Sequence, residues 1–205
     1  MASNSKKSLP PTPRPLLLLL AAFVAALALS AIGLGMLAKL RPGVSVSAVG
    51  GPFALQTGDG RTVTDRDMLG EPFLVFFGYT HCPDVCPTTL AQISQVLTAL
   101  GPDTKLKVLF ITVDPERDTP KVVKDYAASF YPGMIGLTGT PEQVTAAEKA
   151  YKVYAAKARP TSDGIYTVDH SSIIYLMGTD GRFLAHFAHG ATADQIADGL
   201  RKVLN

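Results

Sequence analysis

The hydrophobic positions of this chain follow two patterns, which change near residue 39. Residues 16–38 are 23 consecutive residues without a charge, whereas further along the chain apolar residues recur with the spacings of strands and helices. A helix over the apolar stretch would be about 35 Å long, enough to cross the hydrocarbon core of a bilayer. The pattern predicts one transmembrane anchor at 16–38, a short basic tail at 1–15 and a tether at 39–51.

The apolar stretch also resembles the core of a secretory signal peptide, with Ala26-Leu27-Ala28 as a cleavage-like site. Cleavage there would leave apolar residues at the new N-terminus, which favours a retained anchor. Three basic residues precede the stretch and two follow it, a bias that places the N-terminus in the cytoplasm. The tail is too short and proline-rich for an organelle-targeting helix. We therefore expect a single-pass protein of a bacterial inner membrane, with its C-terminal domain in the periplasm.

Residues 52–205 carry the pattern of a compact α/β domain. Two continuous apolar runs, Phe73–Phe77 and Leu106–Val113, predict strands buried on both faces of a sheet. Turn signals, apolar spacing and capping residues predict two hairpins and four helices. The hairpins are Phe53–Thr57 with Arg61–Thr64 and Ile173–Met177 with Arg182–Phe187, and the helices are Thr88–Leu100, Thr119–Phe130, Thr140–Tyr154 and a last one capped by Thr192. This order predicts a thioredoxin-like fold, a mixed sheet flanked by helices.

The charges are unevenly distributed along the chain. Residues 1–41 hold five of the 19 Lys+Arg residues and none of the 17 Asp+Glu residues, so residues 42–205 hold 14 basic and 17 acidic residues, a net charge of −3. A nucleic-acid-binding domain normally presents a basic surface, so this class of function is excluded. The hydrophobic content of 47% likewise excludes a disordered chain.

Both cysteines lie in one motif, Cys82-Pro83-Asp84-Val85-Cys86-Pro87, between a predicted buried strand and a predicted helix. The N-terminus of a helix stabilises thiolate over thiol. A gap of three residues puts the two sulfurs about one helical turn apart on the same face, which suits joint binding of a soft metal ion. The simpler interpretation is a structural disulfide, but so short a loop constrains the unfolded chain little. Two thiolates with an imidazole favour copper, particularly Cu(I).

Four histidines are candidates for the third ligand. His81 adjoins Cys82 and is expected to be an ordinary polar loop residue. His186 and His189 lie near the end of the last strand, where alternation directs His186 toward solvent. His170 follows the loop 159–169, which is expected to be a flexible arm able to reach the cysteines. The residues alone make His170 the better candidate but do not establish it as the ligand.

Three separated motifs occur in this chain in a fixed order, after the predicted anchor: Gly78–Pro87, Val113–Pro120 and Tyr166–Ser172. Together they closely resemble the SCO/SenC family of copper chaperones for cytochrome c oxidase assembly, over roughly residues 50–205. The resemblance implies a thioredoxin-like fold with copper bound by Cys82, Cys86 and His170. It also implies delivery of copper to the dinuclear centre of cytochrome c oxidase subunit II, or reduction of the cysteines there.

The implied partners and cargo follow from that chemistry. The cargo would be Cu(I), and Cu(II) could bind with an added ligand. Copper uptake needs both thiols reduced, so an upstream copper donor and a thiol reductant are expected partners.

Asp114 and Asp118 lie in the second motif and are not expected to contact metal. Turn and cap chemistry is their simplest role, because Asp114 precedes Pro115 and Asp118 precedes a capping threonine. Docking of a partner is the alternative.

A rival function uses the same cysteines without metal. Cys82 and Cys86 would then be the redox-active catalytic pair of a membrane-tethered thiol–disulfide oxidoreductase or thiol peroxidase. The peroxidase is disfavoured, because the chain has no Trp and no evident glutamine to activate peroxide. A third interpretation is a structural assembly factor whose disulfide never opens. His170 separates the first two functions, since a reductase should survive its replacement and a copper site should not.

Overall fold

The computed structural model describes residues 18–19, 22–30, 49–101 and 103–204. The chain divides into two compact units, Met1–Val46 and Ser47–Asn205. In the first unit, the described residues are helical and exposed. The rest of the predicted anchor, the tail and the tether up to residue 48 lie outside the described residues. No helix among the described residues has both the length and the apolar character needed to cross a membrane.

The second unit alternates strands with helices. Its elements are β1 (Ala54–Gln56), β2 (Thr62–Thr64), a 3-10 helix (Asp65–Met68), β3 (Phe73–Gly78), α1 (Val85–Leu100), β4 (Lys107–Thr112), α2 (Pro120–Phe130), β5 (Met134–Leu137), α3 (Pro141–Tyr151), β6 (Ala155–Lys157), β7 (Val168–His170), β8 (Ile173–Met177), β9 (Phe183–Ala188) and α4 (Ala193–Leu204).

A five-stranded mixed sheet in the order β5-β4-β3-β8-β9 forms the centre of this unit. Strands β3, β4 and β5 are parallel, whereas β8 runs antiparallel to β3 and β9 antiparallel to β8. Every residue of β3 is buried, as its continuous apolar run predicts. Helix α1 packs against α4, and α2 packs against β5. The predicted mixed sheet flanked by helices is confirmed.

The predicted hairpins and caps are also present, with small shifts in their bounds. The pairs β1–β2 and β8–β9 are antiparallel. The side chain of Thr119 accepts the N–H of Val122 at the start of α2. Reciprocal side-chain and backbone hydrogen bonds join Thr192 and Gln195 at the start of α4. Capping residues therefore fixed the starts of these helices better than apolar spacing did.

Three local expectations were wrong. Helix α1 begins at Val85 rather than Thr88, because a proline in the first helical turn costs no hydrogen bond and Pro87 is tolerated there. Helix α3 ends at Tyr151 rather than Tyr154, because Lys152 adopts a left-handed conformation (φ 58°) and terminates it. The residues before Ser171 were expected to be a loop, yet Val168–His170 forms β7 and pairs with β6.

One acidic side chain of α3 lies where burial disfavours its ionised form. Glu148 is half-buried beside a cavity of about 190 Å³. Burial raises the pKa of its carboxyl to about 7, because desolvation penalises the charged form. Glu116 and Lys157 line the same cavity, but they form an ion pair with each other. Glu148 thus destabilises the fold whenever it is ionised.

We expect Glu148→Gln to raise the free energy of unfolding by about 1 kcal/mol at pH 8, a figure reduced for the water that still reaches the carboxyl. The folded state binds this proton more tightly than the unfolded chain, whose glutamate has an ordinary pKa of 4.5. The associated stability is therefore complete below pH 4.5 and is lost as pH rises through about 7. Urea unfolding of both proteins at pH 5 and pH 8 measures the difference, and an equal gain at both would contradict the prediction.

Candidate metal centre

The two cysteines lie on either side of the start of α1. Strand β3 ends at Gly78, and the chain then turns through Cys82 before the helix begins at Val85. Cys86, in the first helical turn, is fully buried, whereas Cys82 is partly exposed. The backbone N–H of Cys86 donates to Sγ of Cys82 at 3.4 Å. The expectation of two sulfurs on one helical face was therefore wrong, since only Cys86 is helical and the helix N-terminus points at Cys82.

His170 is the last residue of β7 and reaches the cysteines from the other side. Its Nδ1 lies 3.2 Å from the carbonyl oxygen of Ser171, and a carbonyl can only accept, so Nδ1 carries the proton. The lone pair of Nε2 is consequently free, and Nε2 lies 3.4 Å from Sγ of Cys86. The ring packs edge-on against Tyr79 and Phe76. His170 is thus held by pairing and packing, which corrects the expected flexible arm.

The fold brings together the three residues that the family resemblance selected. The ligand atoms of Cys82, Cys86 and His170 all lie within 4.8 Å of one another, and no other group of three His, Cys, Asp or Glu residues with such geometry occurs in the described ranges. Two soft sulfurs and one neutral imidazole nitrogen form a donor set that suits copper, particularly Cu(I). The hydrogen bond at Nδ1 fixes the tautomer that a metal ligand requires.

The other three histidines stay apart from this group. His81 is exposed, with Nδ1 at 3.1 Å from Oγ1 of Thr80. His186 is exposed and stacks on Phe183, and His189 is exposed in the turn after β9. The expectations that His81 is a loop residue and that His186 faces solvent are confirmed.

The two thiols differ strongly in acidity. The pKa of Cys82 falls to about 5, mainly because its thiolate accepts a hydrogen bond from the Cys86 thiol, with help from the backbone N–H groups of Cys86 and Asp84. The pKa of Cys86 is raised by that same hydrogen bond to Cys82 and by burial. One negative charge is therefore shared by the pair at neutral pH, located mostly on the more exposed sulfur, where a soft cation or an electrophile can reach it.

Gly78 provides the space that Cys86 occupies. A Cβ at this position would lie 2.7 Å from Sγ of Cys86 and 2.9 Å from Cε2 of Phe110. Strand β3 therefore ends in the one residue type that lets the sulfur approach its backbone.

Asp118 forms hydrogen bonds with the loop that precedes Cys82. Its fully buried carboxylate accepts hydrogen bonds from the N–H and hydroxyl of Thr80, at 3.0 and 2.6 Å, and from the hydroxyl of Thr112 at 2.6 Å. Thr80 lies two residues before Cys82, and Thr112 ends β4. The carboxylate thus ties the loop that carries the first sulfur to the central sheet.

Asp114 makes a second set of buried contacts from the same turn. It accepts the Nε–H of Arg117 and, at 2.8 Å, the hydroxyl of Tyr166. The backbone N–H groups of Arg117 and Asp118 both donate to the carbonyl of Asp114, which confirms the expected turn. Asp114 and Asp118 are both completely buried, so neither presents a carboxylate to a partner and the docking alternative was wrong. The contacts of Arg117 and Tyr166 were not predicted from the sequence, although these residues lie in the second and third motifs.

Comparison with known proteins gives consistent results. The family model SCO1/SenC matches residues 43–205. The human mitochondrial SCO1 homolog is 44% identical over 152 residues, which are 73% of this chain and 50% of that protein. Protein SenC of Rhodobacter capsulatus is 44% identical over 161 residues, covering 77% of this chain and 72% of SenC. The match spans only about half the length of the first mitochondrial relatives.

Solved structures extend this similarity to the fold. The copper-bound structure of ScoI from Bradyrhizobium japonicum has a TM-score of 0.70 at 50% identity, covering 76% of this chain and 99% of that one. Copper-bound yeast Sco1 has a TM-score of 0.70 at 36% identity, covering 75% and 87%. The thioredoxin-like arrangement expected from the sequence is confirmed by these neighbours. The chain therefore belongs to the SCO1/SenC family.

Proposed function

We propose that this chain is a copper carrier in the assembly of cytochrome c oxidase. The observation that carries the proposal is the convergence of the Cys82, Cys86 and His170 ligand atoms within 4.8 Å of one another. Two structural relatives are described with copper bound, and a more distant one is described as a member of the Sco family of cytochrome c oxidase assembly proteins. The chemistry of the donor set supports copper as the cargo, because two thiolates and an imidazole favour Cu(I).

The geometry supports a transfer by exchange of ligands. Both sulfurs must be thiolates to bind copper, and because the pair already shares one charge before copper arrives, loading displaces only the one remaining proton. The partly exposed Cys82 borders an open pocket with Asp84, Asp169 and His170, whereas Cys86 is buried. An incoming ligand of a client would therefore meet the ion from the Cys82 side. Each new bond can form before an old one breaks, so the ion need not be released into water.

The cellular setting is part of the same proposal. The uncharged run at 16–38 supports a single-pass anchor in a bacterial inner membrane, with the copper domain in the periplasm. Subunit II of cytochrome c oxidase, with its dinuclear copper centre, would be the client. An oxidising compartment also requires a reductant for the two thiols and a donor of copper.

The test is the copper content and affinity of the full-length chain, reduced and purified in detergent micelles. We expect one Cu(I) per chain, and a weakening by roughly tenfold or more in His170→Ala. His186→Ala is the matched control, since that histidine is exposed on β9 and stacks only on Phe183. Competition with a Cu(I) chelator measures the affinity. A wild-type chain that retains no copper, or a His170→Ala variant that binds as tightly as wild type, would contradict the proposal.

The asymmetry of the two thiols favours one alternative, a thiol–disulfide reductase. The Cys82 thiolate would attack a client disulfide and expel one client thiolate; the Cys86 sulfur would then attack Cys82 and release the second. Two electrons pass to the client, the Cys86 proton goes to a leaving thiolate, and the Cys82–Cys86 disulfide formed must be reduced again by an external dithiol. Exchange with a small disulfide that is rapid in both wild type and His170→Ala, without copper binding, would establish this function instead.

A further inference from the structure

One short turn contacts both sides of the metal centre, the loop that carries Cys82 and the segment that carries His170. This turn, residues 114–118 between β4 and α2, holds the cysteine loop through Asp118, as described above. It holds the His170 side through Arg117. The guanidinium Nη1 of Arg117 donates to the carbonyl oxygen of Tyr166 at 3.0 Å, and its carbon atom Cζ lies 3.7 Å from the centre of the Tyr166 ring. Tyr166 precedes His170 by four residues.

These contacts matter because β7 is not part of the central sheet. In the portion of the chain that the structure describes, β7 pairs with β6 alone, as a two-stranded ladder. The chain joins the central sheet only at Ile173, where β8 begins, so the position of His170 over the cysteines also depends on side-chain contacts between this ladder and the rest of the domain. Arg117 bridges 49 residues of sequence to Tyr166, and the Tyr166 hydroxyl bridges 52 residues back to Asp114. Tyr79 adds a ring contact to His170.

The guanidinium of Arg117 joins two other residues of the domain through hydrogen bonds. Its Nε–H group is bonded to Asp114 and its Nη1 to Tyr166, while the buried Nη2 has no hydrogen-bond partner within the described residues. An unpaired buried donor costs free energy. A side chain with fewer hydrogen-bond donors would avoid this cost, so stability alone does not account for an arginine at this position. A planar fork that holds two groups at fixed positions and stacks on a ring is something that lysine cannot reproduce.

We propose that Arg117, with Asp114 and Tyr166, is a positioning element that sets His170 against the two cysteines. Copper affinity then depends on Arg117 although this residue does not touch the ion, and the dependence acts through His170. The inference rests on the proposed copper-binding function of the same site. It assigns to the second motif a mechanical role in ligand placement, rather than a role in metal contact or in docking.

The test is a double-mutant cycle on the full-length chain in detergent micelles. Arg117→Lys keeps the positive charge beside the buried Asp114 but loses the fork and the stacking, and urea unfolding of the variant measures whether its stability is retained. We expect it to weaken Cu(I) binding by about tenfold in the wild-type background, and by less than about twofold in the His170→Ala background. Arg182→Lys, an exposed arginine paired with Asp180 in the β8–β9 turn, is the matched control and should leave the affinity unchanged.

A readout without copper makes the result independent of the proposed function. In the wild-type apo protein, proton NMR should show cross-relaxation between the rings of His170 and Tyr79, which pack edge-on with their centres 5.8 Å apart. Arg117→Lys should weaken this cross-relaxation because it loosens the hold on His170, and Tyr166→Leu, which removes the ring and the hydroxyl, should do the same.

Equal weakening of copper binding by Arg117→Lys with and without His170 would mean that Arg117 acts on the cysteines or on overall stability, and would overturn the inference. Unchanged cross-relaxation between the His170 and Tyr79 rings in both Arg117→Lys and Tyr166→Leu would overturn it as well. Absence of copper binding by the wild-type chain would refute the proposed function, while the NMR result would still decide whether Arg117 positions His170.

Discussion

The variant Gly78→Ala is expected to lose copper affinity by about tenfold and to destabilise the fold by about 1–3 kcal/mol. The added methyl group would stand 2.7 Å from Sγ of Cys86 and 2.9 Å from Phe110, and β3 is buried along its whole length. The strand is held in place by its pairing with β4 through Gly78 and with β8 as far as Phe76. The sulfur of Cys86 must therefore shift, which disturbs its distances to Cys82 and His170. Chelator competition and urea unfolding measure the two effects.

Gly136→Ala is the matched control for this variant. Gly136 lies in β5 of the same sheet, and a Cβ there would collide with the backbone of Val123 in α2. It should lower stability by at least as much, because the clash is with backbone atoms, while the folded fraction keeps its copper affinity. If both variants bound copper as wild type does, the sulfur would have room that the structure does not show, and the role given to Gly78 would be refuted.

Removal of the Asp118 carboxylate, as Asp118→Ala, is expected to be the most destabilising single change outside the apolar core, at about 3 kcal/mol or more. The carboxylate accepts three hydrogen bonds from Thr80 and Thr112 while fully buried. Alanine would leave these donors without a partner and would release the loop before Cys82. Thermal or urea unfolding reports the loss, and copper affinity should fall as well.

The comparison variant is Asp125→Ala. Asp125 lies on α2, where its carboxylate is exposed and pairs with Lys121 one turn earlier. Exposed pairs of this kind contribute only about 0.3–0.5 kcal/mol. A loss in Asp118→Ala no greater than that in Asp125→Ala would show that the buried hydrogen bonds of Asp118 are replaced by water at little cost.

The sequence was most informative where local rules determine the structure. A continuous apolar run such as Phe73–Phe77 has few alternatives to a buried strand, and paired capping residues such as Thr140 and Gln143 mark a helix start. The start of α1 was less accessible, because a proline inside the first turn resembles a helix boundary. Strands of three residues, such as β6 and β7, are too short to show alternation.

The site was accessible only in part, for a different physical reason. The spacing of Cys82 and Cys86 is local, so their chemistry could be inferred from the motif. His170 contacts Cys86 across 84 residues. Its place between a loop and a strand made it the better candidate among the histidines, but the family resemblance was needed to select it. The partnership of Arg117 with Tyr166 is equally distant. Such pairs are created by tertiary structure, which a single sequence does not display.

The long separation of the ligands in sequence has a consequence for the life of the protein after synthesis. An unfolded chain offers its two thiols to copper without the histidine, so only the folded chain can use all three ligands. An ion that binds the folded state more tightly than the unfolded chain stabilises the fold, by at most about 4 kcal/mol when the free ion is a thousandfold above its dissociation constant. Each delivery would then return the carrier to its less stable form, more open to proteolysis and to oxidation of Cys82. The lifetime of the protein would thus follow the supply of copper.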